Sequence, residues 1–197
     1  MSTKDGESPS SSTSATPIAE WGTWAQTLAD AQPFDLIEIN RYYGLYQHWV
    51  MYLGKGYVIH VTQVKDRTEG PDAEKRIDKL STLVRQDYCR INNLVDYAKE
   101  KGSDARRSDD LIFDAIKDIV PDRRLHKINY ADINKVVIVP YAVTGKNCEF
   151  YGTLWRYGVG FSKQVDYGLS KNIPPEKMME SVELLAELEP NQEESEY

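Results

Sequence analysis

"LYQHWVMYLGKGYVIHVT", residues 45–62, contains two runs rich in β-branched and aromatic side chains, joined by Gly54-Lys55-Gly56. Runs of this kind around a glycine-containing loop read as a β-hairpin. If the loop has three residues, Leu53 pairs with Tyr57 and Val50 lies opposite His60. His48 then shares a face with His60, diagonal to it, at roughly 7–8 Å. A two-residue loop would turn the two rings to opposite faces, because side chains alternate along a strand. The hairpin therefore decides whether two of the chain's three histidines can act together.

Outward from the hairpin, "DLIEI" (35–39) sets Leu36 and Glu38 against Ile37 and Ile39, as a strand does. "KVVIVPY" (135–141) reads as a further strand that ends, or lies at a sheet edge, at Pro140. "VKDRTEGPDAEKR" (64–76) and "AKEKGSDARRSDD" (98–110) are polar enough to read as surface loops. "SDDLIFDAIKDIVPD" (108–122) reads as a helix. Ser108 would cap it, Asp109 and Asp110 suit its positive end, and Leu111, Ile112, Ala115, Ile116 and Ile119 share a face. Strands followed by helices and another strand point to an α+β fold.

The 197 residues are 41% hydrophobic and 28% charged, a globular balance sufficient for one domain with tails. Two cysteines are too few for a disulfide scaffold. No run approaches the roughly eighteen apolar residues of a membrane helix. The first residues, with Asp5 and Glu7, lack both signal-peptide and transit-peptide character, so a cytoplasmic location is expected. Residues 1–20 form a Ser/Thr-rich segment expected to be disordered. Residues 170–197 form an acidic tail, in which Met179, Val182, Leu185 and Ala186 permit a short helix. From Glu176 onward there are eight glutamates and one lysine, which account for the whole net charge of −7. The rest balances 23 basic against 23 acidic residues, so nothing advertises a nucleic-acid partner.

"TGKNCEFYGTLWRYG" (144–158) places Cys148 in the first turn of a helix capped by Asn147 and stopped by Gly158, with Phe150, Tyr151, Leu154 and Trp155 as its buried stripe. A thiol there is either a small packing hydrophobe or a nucleophile. The unpaired N–H groups and the helix dipole favour an anion, which would lower its pKa and could stabilise an oxyanion. A histidine from the hairpin would supply the base, and a second group would orient it. Tyr46 shares the face of His48 and could donate a hydrogen bond in the site, or simply line the core. Trp49 faces the other way, into the core. His126 and Cys89 lack partners for chemistry and read as structural or surface residues. No zinc-like spacing accompanies the histidines, so no metal site is expected.

The blocks "DLIEI", "YQHWVMYLGKGYVIHVT", "RINN" and "NCEFYGTLWRYG", in that order, resemble the lecithin:retinol acyltransferase-like (LRAT-like) family. They look closest to its phospholipase A/acyltransferase members of H-rev107 type, relatives of the NlpC/P60 cysteine hydrolases. The resemblance covers residues 33–165. It implies a permuted papain-like NlpC/P60 fold, with an antiparallel sheet packed against helices and the nucleophile at a helix N-terminus. It also implies Cys148 as nucleophile, His48 as general base and His60 as the group orienting His48. The implied chemistry is attack on a glycerophospholipid ester at a membrane surface, through an acyl-cysteine, with no cofactor. Two rival readings share the same residues: a cysteine amidase or peptidase, and a silent interaction module. Where members of the family usually read "NCEHF", this chain has Phe150 in place of the histidine. Where many end in an apolar anchoring helix, this tail is acidic.

Overall fold

The computed structural model describes residues 18–41, 46–64 and 72–171, with Pro174 and Lys177. The expectations for residues 1–17 and for the tail stripe of Met179, Val182, Leu185 and Ala186 lie outside the described residues. Six strands form one antiparallel sheet in the order β5-β1-β2-β3-β4-β6. They are β1 (Leu36–Arg41), β2 (Tyr46–Gly54), β3 (Tyr57–Gln63), β4 (Asp72–Lys79), β5 (Tyr88–Ile91) and β6 (Val137–Pro140). The helices are α1 (Trp24–Asp30), α2 (Leu80–Val84), α3 (Val95–Glu100), α4 (Asp109–Ile116), α5 (Cys148–Tyr157) and α6 (Lys163–Ser170). The class is α+β, and β6 is an edge strand that ends at Pro140.

Both faces of the sheet are covered, which is why β1 buries Leu36, Ile37, Glu38 and Ile39 in succession. On one face, Leu36, Trp49, Met51, Leu53, Ile59 and Val61 meet the apolar residues of α3, α4 and α5. On the other, Ile37, Ile39, Val50, Tyr52 and Val58 meet Leu80 and Val84 of α2, with Leu28 of α1 and Ala31 just after it.

The hairpin resolves its register in a way the sequence reading did not foresee. Gly54 pairs with Tyr57, so the loop is the two residues Lys55-Gly56, both with positive φ (54° and 81°). That geometry suits a tight β-turn. A two-residue loop alone would separate the histidines, but the pairing shifts between Tyr52 and Gly54. Leu53 is an extra residue, a β-bulge, and it restores Tyr52 to Val58, Met51 to Ile59 and Val50 to His60. The expected Leu53–Tyr57 pair is therefore replaced, while the pairing of Val50 with His60 holds.

Three further expectations are corrected. Part of the stretch read as a loop is β4, in which Ala73, Lys75 and Ile77 alternate inward. Lys75 hid that alternation; its ammonium is buried and bridged to Asp118. The second polar stretch begins inside α3, which runs to Glu100. In α4, Ser108 occupies the N-cap position without a side-chain capping bond, and Phe113 is buried where Leu111 was expected. Leu111 is 49% exposed, and the buried face continues past the helix into Ile119 and Val120.

Candidate active site

Cys148 opens α5, and Asn147 caps the helix by accepting a hydrogen bond from the Phe150 N–H at 2.9 Å. Gly158 ends it with φ 79° and donates to the Leu154 carbonyl. The buried side is broader than the expected stripe. Phe150 and Leu154 are half-buried, whereas Glu149, Gly152, Thr153 and Arg156 are buried with Tyr151 and Trp155. A helix this central has no fully solvated face. The ring of Phe150 lies over Gly160, where a Cβ would come within 2.3 Å of it.

The thiol is 2% exposed and sits beside the first residues of β2. Its sulfur is 3.4 Å from the Tyr46 hydroxyl and 4.0 Å from the Gln47 carbonyl oxygen. The backbone N–H groups of Trp49 and Glu149 also point toward it. Tyr46 is hydrogen-bonded to Tyr141, whose hydroxyl oxygen accepts from the Cys148 N–H. Burial pushes the thiol upward, with the Glu149 charge adding to this, and the bonds from Tyr46 and Trp49 oppose it only in part. The lowering expected at the helix terminus is therefore not found: burial raises the thiol instead.

His48 and His60 share one face, as the restored register requires. His48 Nε2 is 2.9 Å from His60 Nδ1, and the rings meet edge to face. Burial, then His60, then the charge on Arg41 hold His48 well below the ordinary histidine range, so it is neutral near pH 7. His60 Nε2 lies 2.8 Å from Asp78 Oδ2. Arg76 in turn donates from Nη2 to Asp78 Oδ1 at 3.1 Å and places Nε 2.7 Å from Oδ2.

The structure brings Cys148 together with Tyr46, and His48 together with His60. Among the described residues, no hydrogen bond joins the sulfur to either imidazole. His48 is the residue between Gln47 and Trp49, whose backbones touch that sulfur. Trp49 is core, as expected. Cys89 is buried and donates to Thr27 at 3.2 Å, and His126 is on the surface. Among the described residues, no three histidine, cysteine or acidic side chains are grouped as metal ligands.

Four neighbours were missed by the sequence reading: Tyr141, Asp78, Glu149 and Gln164. Glu149 is 1% exposed; its Oε2 accepts from the Ser162 hydroxyl (2.6 Å) and the Gln164 N–H (3.1 Å). Gln164 carries this link to β2, donating from Nε2 to the Gln47 carbonyl at 3.2 Å and accepting from the Gln47 N–H at 3.3 Å. The loop leading into α6 and its first turn thus tie the start of α5 to the strand carrying His48. Glu149 adjoins the cysteine in sequence, so an acid at that place was the available signal; Gln164 had none.

A family model described as lecithin retinol acyltransferase matches residues 29–161, which take in all six strands and the whole of α5. The chain belongs to the lecithin retinol acyltransferase family. Among curated members, human phospholipase A and acyltransferase 1 is 31% identical over 138 residues, covering 70% of this chain and 74% of the relative. Human phospholipase A and acyltransferase 4 is 27% identical over 147 residues, covering 70% and 76%. Rat phospholipase A and acyltransferase 1 is 29% identical over 134 residues, covering 68% and 72%. The family match contains Tyr46, His48, His60, Asp78, Tyr141, Cys148 and Glu149, whereas Ser162 and Gln164 lie just beyond it. Among the described residues, no helix is long and apolar enough to cross a membrane.

Proposed function

We propose that this chain is a thiol-dependent phospholipase A1/A2 and acyltransferase acting on glycerophospholipids through an acyl-cysteine, on a permuted papain-like framework of NlpC/P60 type. The observation that carries this reading is the buried thiol at the start of α5, set against Tyr46 and the backbone on both sides of His48. Names of the relatives supply the substrate class and the two outcomes.

Cys148 is the nucleophile, His48 the base and His60 the group that orients it. Thiol and imidazole are both neutral at rest, so the proton passes to His48 as sulfur attacks the ester carbonyl rather than beforehand. Hydrogen bonds at such sites are often long without substrate and tighten when it binds. N–H groups beside the sulfur and the Tyr46 hydroxyl stabilise the oxyanion. The carbon–oxygen bond to glycerol then breaks, His48 returns its proton to the leaving alkoxide, and a lysophospholipid departs. Water, an amine or a lysophospholipid hydroxyl attacks the thioester and gives its proton to His48; the carbon–sulfur bond then breaks and His48 returns the proton to the departing sulfur, restoring the thiol. Water yields a fatty acid, and an amine or lysophospholipid yields the transferred acyl product. The protein is read as cytoplasmic, and transient contact with the membrane surface is in keeping with its acidic tail.

The test is incubation with labelled phosphatidylcholine vesicles, followed by mass spectrometry of Cys148. An acyl adduct on Cys148, lost in Cys148→Ala together with turnover, is expected; His48→Ala should reduce turnover nearly as far, and His60→Ala less. Full lipase activity in a folded Cys148→Ala protein would refute the assignment.

A further inference from the structure

We propose that Asp78, held by Arg76, is a positioning residue that fixes the tautomers of His60 and His48 and so leaves His48 Nδ1 as the free basic atom. This rests on His48 being the base of the proposed reaction.

The geometry begins with three neighbouring strands. His48 on β2 lies diagonal to His60 on β3, because Val50 is the residue opposite His60. On β4, Arg76 is opposite His60, and Asp78, two residues on, is diagonal to it on the same face. The three side chains thus form one oblique line across the sheet, with contacts of 2.9 Å and 2.8 Å.

An ionised carboxylate only accepts hydrogen bonds. Asp78 stays ionised although burial opposes it, because His60 and Arg76 hold it below the usual carboxylate range. His60 must therefore donate from Nε2. In a neutral imidazole the other nitrogen, Nδ1, is then an acceptor. His48 must fill that acceptor from Nε2, which leaves the lone pair of its own Nδ1 free. One carboxylate, two rings away, selects the nitrogen that can take the thiol proton. When His48 becomes imidazolium during the reaction, the same line delivers the negative charge that favours it.

The charged and titratable groups around this line are Arg41 of β1 and Tyr46 of β2 near His48, and Cys148 of α5 beside Tyr46. Arg76 is on Asp78 itself. Arg41 opposes protonation of His48, and Asp78 is the anion in the line that favours it. Asp78→Asn should therefore move the acid limb of the kcat/KM profile to lower pH.

The experiment compares the full-length protein with Asp78→Asn and Asp78→Glu on phosphatidylcholine vesicles, and reads histidine tautomers by nitrogen-15 NMR in the Cys148→Ala background. For Asp78→Asn, kcat should fall about 10- to 100-fold with little change in KM. That is less than the ~10⁴ seen when the neutralised carboxylate touches the base itself. Asp78→Glu should recover most of the loss. NMR should show both histidines protonated at Nε2 when Asp78 is present, and a changed pattern in Asp78→Asn. If Asp78→Asn fails to fold, the Asp78→Glu rates and the tautomers of the Cys148→Ala protein decide. His60 protonated at Nδ1, or an unchanged kcat and pH profile in Asp78→Asn, would overturn the inference. Because the tautomers are read in an inert protein, a failure of the acyl-cysteine reading and a failure of this one are told apart.

Discussion

At the scale of single residues, burial sets the protonation states on which any chemistry depends. Cys148 and His48 are both desolvated, and each is pushed toward its neutral form. Alkylation of Cys148 by iodoacetamide, followed by mass spectrometry to separate it from Cys89, should rise with a midpoint above about pH 9. A midpoint well below neutrality would show a preformed thiolate–imidazolium pair instead. For His48 the sign runs the other way from a salt-bridged histidine. The unfolded chain takes up the proton near its ordinary value of 6.5 and the folded chain does not, so the stability it contributes is present above that value and lost as the pH falls. Cys148, His48, His60 and Tyr46 could all be picked out from the sequence, because the hairpin and the capped helix are local patterns. Asp78 and Tyr141 could not, since what singles them out is their meeting across strands and loops far apart in the chain.

At the scale of elements, β4 shows why a strand can be hidden in polar sequence. "DAEKRIDK" has only Ala73 and Ile77 as apolar residues, and the inward position between them is a lysine. Periodicity of apolar residues cannot register a core position held by an ion pair. The ion pair itself gives a test. Lys75→Met places a hydrophobic chain of similar length on the core-facing side and should leave Tm unchanged or raise it. Asp118→Ala leaves the buried ammonium without its carboxylate and should cost about 1–3 kcal/mol, reduced from a fully buried pair because Asp118 is half exposed. Thermal melts of the two variants check this; an equal loss in both would mean that the pair stabilises the strand. β1, β2, β3 and α5 were legible because their apolar residues follow the strand or helix period. The bulge at Leu53 was not legible, because nothing local distinguishes a three-residue loop from a two-residue loop plus one inserted residue.

For the whole molecule, the second core is completed by a segment lying largely outside the family match. Ala19 donates to the Ile91 carbonyl, Gly22 exchanges two hydrogen bonds with Cys89, and Trp21 packs under the Arg90 guanidinium at 4.1 Å. Leu28 and Ala31 then close over Ile37, Ile39 and Val58. A chain beginning at residue 32 should lose about 2–4 kcal/mol and roughly 5–10 °C in Tm, with increased binding of a hydrophobic dye. An unchanged melt would mean that α2 covers that face unaided. The hairpin at the centre of the sheet has a consequence of its own. Its even turn and its single odd residue together fix which side of the sheet each ring faces, so tolerance of insertions there has parity. Two residues can be added or removed together and leave His48 beside His60, whereas one alone would turn the base away from its partner without touching either histidine.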